Sequence, residues 1–125
     1  MTRPCDLYGY IRHLIRGRIS TAIRAQNEIK FIGTLVLLGC SIKEVRIHLE
    51  SQFIGEMSWE NAGEWHIDHR RPCASFDLTN PDDQKMCFHY SNLQPLWASD
   101  NMSKSDSFDE ESFEWKWNGK EWVEK

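Results

Sequence analysis

The spacing of apolar residues predicts a long helix near the start of the chain. Residues 6–29 contain no proline, and their apolar side chains recur at three- and four-residue steps, which places them on one helix face. Gly9 and Gly17 are the positions at which this helix could break. Most of its arginines fall off the apolar stripe. They form either a solvated helix face, which is the more common situation, or a surface that faces DNA.

A serine and a glutamate mark the start of a second helix. Ser41 and Glu44 match the capping box, in which each side chain bonds to the backbone of the other residue. The apolar spacing continues this helix over 42–53, and Gly55 is suited to end it. The apolar run before it, residues 31–40, is about half as long as the roughly 20 residues that cross a bilayer. We therefore expect a structural helix and no transmembrane segment.

Two further helices and a strand are predicted in the second half. Asn80 followed by Pro81 and two aspartates is typical of a helix start and predicts a short helix over 81–89. Residues 93–97 could form a strand, and their internal proline favours an edge position. Residues 98–106 can form a last helix, with Ser99 or Asp100 near its start.

A strand that carries two histidines is predicted over 65–70. Apolar and polar residues alternate there, and a proline two residues later ends the strand. Because side chains alternate between the faces of a strand, His66 and Asp68 share one face. Ile67 and His69 share the other.

An Asn-Gly pair at 118–119 predicts a C-terminal hairpin. Asn-Gly between alternating segments is the strongest short hairpin signal in a sequence. A two-residue turn would place Trp115 opposite Trp122, and Lys116 opposite Glu121.

The hairpin tryptophans, Trp115, Trp117 and Trp122, have two interpretations. They either pack back onto the domain, which we favour slightly, or form an exposed docking patch for a protein partner or a second copy of the chain. Residues 103–112, which precede them, are polar enough to be a linker.

Length and composition narrow the class of protein. The 125 residues support one compact domain with appended arms, and 40% hydrophobic with 27% charged residues is ordinary for a soluble globular protein. The four cysteines include no C-x-x-C pair and no secretory signal is evident, so we expect reduced thiols, no structural zinc and an intracellular protein. The elements together predict an α+β chain of three parts: a helical region 1–62, a core 63–107 and a tryptophan-rich hairpin region 108–125.

Charge is distributed unevenly along the chain. The net charge of −4 argues against a general nucleic-acid binder. However, residues 1–30 carry six basic side chains against two acidic ones, and residues 100–125 carry eight acidic against four basic. A basic arm can supply phosphate contacts even where the total charge is negative.

An aspartate directly before a histidine suggests a one-metal phosphodiesterase site. Cleaving a phosphodiester needs an activated nucleophile and neutralisation of charge on the phosphate and the leaving oxygen, and a divalent ion can supply the neutralisation. Asp68 and Asn101 are candidate oxygen ligands for Mg²⁺ or Mn²⁺. His69 is a candidate to take a proton from water.

At these residues the chain resembles the HNH endonucleases, whose catalytic unit is the ββα-metal, or His-Me finger, fold. The shared pattern is Asp-His-x-x-Pro at 68–72, an asparagine before the second strand at Asn92, and an asparagine on the following helix at Asn101. The chain is most similar to small free-standing HNH proteins of phages and large DNA viruses. The resemblance covers residues 37–104. Because these HNH proteins belong to phages and viruses, we expect the chain to act inside a host cell.

The resemblance implies a role for each matching residue. His69 would be the general base, and Asp68 and Asn101 would bind one Mg²⁺ or Mn²⁺ ion. Asn92 would hold the loop and the strands through hydrogen bonds to backbone, and His66 would orient Asp68 or reach the phosphate. The residues expected to contact the DNA backbone are Arg70, Arg71, Lys104, Arg12, Arg16, Arg18 and Arg24.

One departure from the family concerns Arg70 and Arg71, because the two positions after the catalytic histidine are commonly apolar. The arginines either add phosphate contacts or indicate that this stretch packs differently. The implied activity is metal-dependent DNA cleavage, by nicking or with low specificity, that leaves 5′-phosphate and 3′-hydroxyl ends. The alternative is an inactive DNA-binding module or a subunit of a larger DNA-processing complex.

Overall fold

Two small antiparallel sheets and five α-helices are the main elements of the described part of the chain. The computed structural model describes residues 7–25, 33–104 and 107–125, and its class is α+β. The helices are α1 (Leu7–Ala25), α2 (Thr34–Leu38), α3 (Ile42–Glu50), α4 (Pro81–Phe88) and α5 (Ala98–Ser103). The strands are β1 (Trp65–His69), β2 (Leu93–Trp97), β3 (Trp115–Trp117) and β4 (Trp122–Glu124).

The predicted apolar stripe of α1 is the face that this helix buries. Isoleucines recur along it every four residues, and all four are at most 3% exposed. They pack against α2 and α3. Gly9 and Gly17 lie inside the helix and do not break it, and residues 26–29 of the predicted span lie outside the described residues. The buried set is Ile11, Ile15, Ile19 and Ile23.

The predicted capping box begins α3. The Ser41 hydroxyl accepts the Glu44 backbone N–H at 3.1 Å, and the Glu44 carboxylate accepts the Ser41 backbone N–H at 3.3 Å. The helix ends at Glu50, three residues earlier than the apolar spacing indicated. Before it, Gly39 adopts a φ of +74°, and a Cβ there would approach the His89 ring to 2.7 Å, so glycine is required at this turn.

The central sheet pairs β1 with β2 in antiparallel fashion, so that Trp65 lies opposite Trp97 and His69 opposite Leu93. Between the two strands, α4 begins as predicted, with the Asn80 side chain accepting the Asp82 backbone N–H at 2.8 Å. Helix α5 follows β2 without a loop. It starts at residue 98, as predicted, and ends at residue 103 rather than 106.

All three predicted parts of the chain contribute to one hydrophobic core. Ile11 of α1, Phe88 of α4 and Trp122 of β4 belong to the same buried cluster. The rings of Phe53, Trp59 and Trp65 meet edge to face, with centroids 5.1 to 5.6 Å apart. No helix of the described residues combines the length and apolar character needed to cross a bilayer.

The register predicted for the C-terminal hairpin is wrong. Trp117, not Trp115, lies opposite Trp122, so four residues connect the strands instead of two. The Asn118 side chain accepts the backbone N–H groups of Lys120 and Glu121, both at 2.9 Å, and this closes the wider loop.

The hairpin packs onto the core, as the favoured interpretation of its tryptophans expects. The Trp122 indole N–H donates to the Met86 carbonyl at 2.8 Å, and the Trp122 backbone N–H donates to the Ser91 hydroxyl at 2.8 Å. Trp122 is buried, and Trp115 and Trp117 are half-buried. These contacts fix the hairpin register, because they hold Trp122 in place independently of the turn.

Candidate active site

The two faces of β1 meet different elements of the fold. Helix α5 covers the side that carries His66 and Asp68, which we call the α5 face. Helix α1 and the end of α4 cover the side that carries Ile67 and His69, which we call the α1 face. The predicted alternation of side chains along this strand is therefore present.

Asp68, on the α5 face, lies among hydrogen-bond donors and is 7% exposed. Its Oδ2 atom accepts the Lys104 ammonium at 2.6 Å and the Gln94 side-chain amide at 2.9 Å. The same ammonium donates to the backbone carbonyls of His69 at 2.5 Å and Arg70 at 3.3 Å. Three oxygens therefore surround one positive charge beside the predicted metal ligand.

Asn101 reaches the same face as Asp68, but its hydrogen-bond partner is His66. The Asn101 Nδ2 group lies 2.9 Å from His66 Nδ1, which accepts its N–H. Asn101 and Lys104 are one helical turn apart at the C-terminal end of α5, so they meet His66 and Asp68 respectively. The structure thus pairs His66 with Asn101, and both roles expected of His66 stay predictions.

His69, on the α1 face, lies in apolar surroundings. It is 7% exposed, and its ring meets that of Phe88 edge to face with centroids 5.7 Å apart. Ile15 and Ile19 of α1 and Leu93 of β2 line the small void beside it. The imidazole of His69 and the carboxylate of Asp68 therefore lie on opposite sides of the strand.

Two cysteine sulfurs lie next to the His69 ring. The ligand atoms of His69, Cys73 and Cys87 are all within 4.8 Å of one another. The Cys87 thiol donates to Cys73 Sγ at 3.5 Å. This hydrogen bond, helped by the nearby His69, lowers the pKa of Cys73 to about 5, whereas burial raises the pKa of Cys87.

Asn92 joins the end of β1 to the loop before β2, and its predicted hydrogen bonds to backbone are present. It is fully buried. Its side-chain oxygen accepts the Arg71 N–H at 3.0 Å, and its amide donates to the carbonyls of Arg71 at 3.2 Å and Cys87 at 2.9 Å. The Asn92 backbone carbonyl also accepts the Arg70 N–H at 2.7 Å. Asn92 thus fixes the chain directly after Asp68 and His69.

Arg70 has partners within the protein. Its guanidinium lies 3.9 Å from the centre of the Trp115 ring and donates to the Gln52 side chain and, at 3.4 Å, to the Ser91 carbonyl. Burial lowers the pKa of Arg70. The arginine pair was expected either to contact phosphate or to pack differently from the apolar residues common in the family. Arg70 packs against other residues of the protein.

Arg71 also packs within the protein. It donates to the Ser75 hydroxyl at 3.0 Å and to the Ser75 carbonyl at 3.1 Å. Its guanidinium lies over the rings of Phe76 and Phe108 at 4.2 and 4.3 Å. A phosphate contact for either arginine stays a prediction.

The other predicted DNA contacts differ in their surroundings. Arg12, Arg16 and Arg24 are exposed along α1. Arg18 donates to the Ile67 backbone carbonyl at 3.0 Å and so links α1 to β1. Lys104, as described, binds oxygens of β1 and the residue after it.

A cleft of about 460 Å³ opens beside the α5 face. Gln94 and Lys104 form part of one wall, and residues 107–109 and 112–115 form the other. Both of these side chains donate to Asp68, so two hydrogen-bond partners of the predicted metal ligand line the cleft.

Sequence reasoning missed Gln94 and the proximity of the cysteines to His69. Gln94 lies opposite Asp68 in the strand register, so correct pairing of the two strands could have identified it. Cys73 follows His69 by four residues, but Cys87 reaches the ring only because α4 packs there. No local pattern signals that convergence.

Comparison with known proteins gives two viral relatives. No protein-family model matches the chain, and no solved structure matches it. The uncharacterized protein L246 of Acanthamoeba polyphaga mimivirus is 38% identical over 96 residues, which cover 76% of this chain and 41% of that protein. The uncharacterized protein L426 of the same virus is 47% identical over 70 residues, which cover 55% of this chain and 31% of that protein. The chain therefore matches less than half the length of these relatives.

Proposed function

We propose that this chain is a metal-dependent HNH endonuclease that hydrolyses DNA phosphodiester bonds, by nicking or with low specificity, and leaves 5′-phosphate and 3′-hydroxyl ends. One observation supports this above the others. Two antiparallel strands and a helix follow in the order β1, β2, α5, with Asp68 and His69 ending the first strand and Asn101 on the helix. Asn92 lies directly before the second strand. This is the order expected of a ββα-metal nuclease.

The chemistry of the α5 face suits a hard divalent ion. The Lys104 ammonium already lies against the Asp68 carboxylate and two carbonyl oxygens, and such oxygens are the ligands that Mg²⁺ and Mn²⁺ prefer. Asp68 and Asn101 would hold the ion, and Lys104 would have to give up its contact with Asp68. When bound, the ion supplies neutralisation of charge on the phosphate and the leaving oxygen.

His69 is the residue that would take a proton from the attacking water. Contact with Phe88 orients its ring, and the hydrogen bonds of Asn92 fix the backbone just after it. A general base gains from such fixed orientation, and proton transfer of this kind typically contributes about 10²- to 10⁴-fold in rate.

DNA binding would rest on the exposed arginines of α1. Arg12, Arg16 and Arg24 are available to phosphates, whereas Arg70 and Arg71 are engaged within the protein. Contacts to phosphate position the DNA but carry no sequence information. We therefore expect little sequence preference.

Plasmid nicking tests the proposal. The wild-type protein should nick supercoiled DNA with Mg²⁺ or Mn²⁺ but not with EDTA, and His69→Ala should reduce the rate by at least about a hundredfold. His13→Ala, which changes an exposed histidine of α1, is the matched control and should keep the wild-type rate. A His69→Ala protein that nicks at the wild-type rate would remove the assigned base and the proposal with it.

The alternative function is a DNA-binding module without catalysis, or a subunit of a larger complex. It is favoured by the ion pair of Lys104 with Asp68 and by the placement of His69 on the opposite face of the strand. Calorimetry separates the two functions. DNA binding without any binding of Mg²⁺ or Mn²⁺ would favour the module.

A further inference from the structure

The group of His69, Cys73 and Cys87 brings three metal-ligating side chains to one place. They come from three separate parts of the fold: the end of β1, the turn after Pro72, and α4. Cys87 and His69 are buried and Cys73 is half-buried. Their ligand atoms lie within 4.8 Å of one another.

These distances are close to those of a tetrahedral metal site. Where Zn–S bonds are about 2.3 Å long, two sulfurs on one zinc lie about 3.8 Å apart. The sulfurs of Cys73 and Cys87 are 3.5 Å apart. Small side-chain rotations would bring the His69 nitrogen to a similar distance from both.

The kind of ligand favours zinc over magnesium. Thiolate and imidazole ligands suit Zn²⁺, whereas Mg²⁺ takes oxygen ligands. The Asp68 carboxylate oxygen that binds Lys104 lies on the other face of β1. One face therefore offers sulfur and nitrogen ligands, and the other offers an oxygen ligand.

We propose that His69, Cys73 and Cys87 form a zinc site with three protein ligands and a fourth position open to water or another small ligand. On binding, Zn²⁺ replaces the proton that the Cys87 thiol shares with Cys73 Sγ; this proton passes to the solvent, and no oxidant is needed. This proposal opposes the expectation of no structural zinc, which considered only ligands close together in the sequence. The alternative is a hydrogen-bonded trio that binds no metal.

If the chain is the proposed nuclease, zinc at this site should affect its activity. A His69 nitrogen that binds Zn²⁺ cannot accept a proton from water. Zinc at this site should therefore inhibit Mg²⁺-supported nicking, and inhibition should require the cysteines.

Cobalt spectroscopy tests the site without reference to activity. We would use a Cys5→Ser, Cys40→Ser background, because it leaves Cys73 and Cys87 as the two cysteines of the chain. Reduced, metal-free protein should bind one equivalent of Co²⁺ and show the thiolate charge-transfer and intense visible bands of tetrahedral cobalt, and Zn²⁺ should abolish them. Cys73→Ser in this background should weaken or remove the charge-transfer band.

Folding is monitored by circular dichroism for every variant. Cys87 is fully buried, so Cys87→Ser could unfold the protein, and Cys73→Ser at the half-buried position is the primary variant. A folded, reduced background protein with no cobalt bands would overturn the site and favour the hydrogen-bonded trio. Bands that persist unchanged in the folded Cys73→Ser protein would also overturn it.

The activity measurement separates the two proposals. For each variant, nicking with Mg²⁺ is compared with and without added Zn²⁺. Cobalt bands in a protein that never nicks DNA would leave the zinc site standing and count against the nuclease. Nicking by a protein that shows no cobalt bands would support the nuclease and count against the zinc site. Nicking that Zn²⁺ inhibits equally in the background and Cys73→Ser proteins would overturn the inhibitory role.

Discussion

The two faces of β1 differ in chemistry, although the strand is only five residues long. On the α5 face, Asp68 and His66 are hydrogen-bonded to polar side chains of α5 and β2. On the α1 face, Ile67 and His69 lie against isoleucines and the Phe88 ring. Neighbours in the sequence therefore experience a polar and an apolar environment.

This difference follows from strand geometry and from what each covering helix contributes. Successive side chains of a strand point to opposite sides, so one peptide bond separates the two environments. Asn101 of α5 supplies an amide, Lys104 directly after that helix supplies an ammonium, and α1 supplies a stripe of isoleucines. The α5 face can serve metal binding, whereas the α1 face places the proposed base His69 among apolar side chains that stabilise the fold. Substitutions of Asp68 on the first face and of Ile67 on the second should therefore have separable effects.

The largest expected effect is that of Asp68→Asn on the α5 face. Because the substitution removes the negative charge that would hold the divalent ion, Mg²⁺-supported nicking should fall at least about a hundredfold. Because Lys104 keeps two carbonyl acceptors and the new amide oxygen can still accept from Gln94, the free energy of unfolding should fall by only about 1 kcal/mol. Plasmid nicking and urea denaturation measure the two quantities.

Asp100→Asn is the matched control for this change, since Asp100 is an exposed acid of α5. It should alter neither quantity appreciably. If Asp68→Asn nicked DNA within about twofold of the wild-type rate, the α5 face would lose its assigned role as the metal-binding side.

The next largest effect is expected from Ile67→Ala on the α1 face. Ile67 is 5% exposed, and truncating a buried isoleucine typically costs about 2–5 kcal/mol of the free energy of unfolding. Nicking measured well below the melting temperature should stay within severalfold of wild type, because the Ile67 side chain lies on the face of β1 opposite to Asp68 and carries no group that could bind a metal or a proton. Ile47→Ala, at a 56% exposed position of α3, should change stability by no more than about 0.5 kcal/mol. If folded Ile67→Ala protein nicked DNA as slowly as Asp68→Asn, the separation of the two faces would be contradicted.

Local signals were sufficient to predict most elements of the fold. The capping box at Ser41 and the cap at Asn80 join residues that are two or three positions apart, so a short stretch of sequence is enough to predict them. The alternation of residues 65–69 placed Asp68 and His69 on opposite faces for the same reason. The role of Asn92 as a holder of backbone came from the family resemblance, and its hydrogen bonds are present.

The features that the sequence did not predict depend on contacts between distant residues. The hairpin register follows Trp122, which is held by Met86 and Ser91 more than 30 positions away. Arg70 meets Trp115 across 45 positions, and no local pattern pairs them. Such contacts arise only when the segments pack together, so motif spacing cannot reveal them.

Arg70 directly follows β1, and a substitution there should have a moderate effect. Arg70→Ala removes a cation–π contact with Trp115 and hydrogen bonds to Gln52 and Ser91, so we expect a loss of about 1–2 kcal/mol in the free energy of unfolding. The salt dependence of DNA binding should not change. Arg12→Ala, which removes an exposed guanidinium, should lower the slope of log K against log salt by about one and leave stability unchanged. A reduced slope for Arg70→Ala would instead show that Arg70 contacts a phosphate.

The smallest effect, and the sharpest test of the α5 face, is expected from Lys104→Met. The ammonium of Lys104 competes with a divalent ion for Asp68, and its removal should lower the Mg²⁺ concentration that gives half-maximal nicking. A partly exposed ion pair is worth about 1 kcal/mol or less, which corresponds to a change of roughly fivefold or less. Lys120→Met changes an exposed lysine of the hairpin loop and should leave this concentration unaltered. A lower maximal rate at an unchanged Mg²⁺ requirement would mean that Lys104 serves the phosphate, as the family resemblance implied, and not as a competitor of the metal.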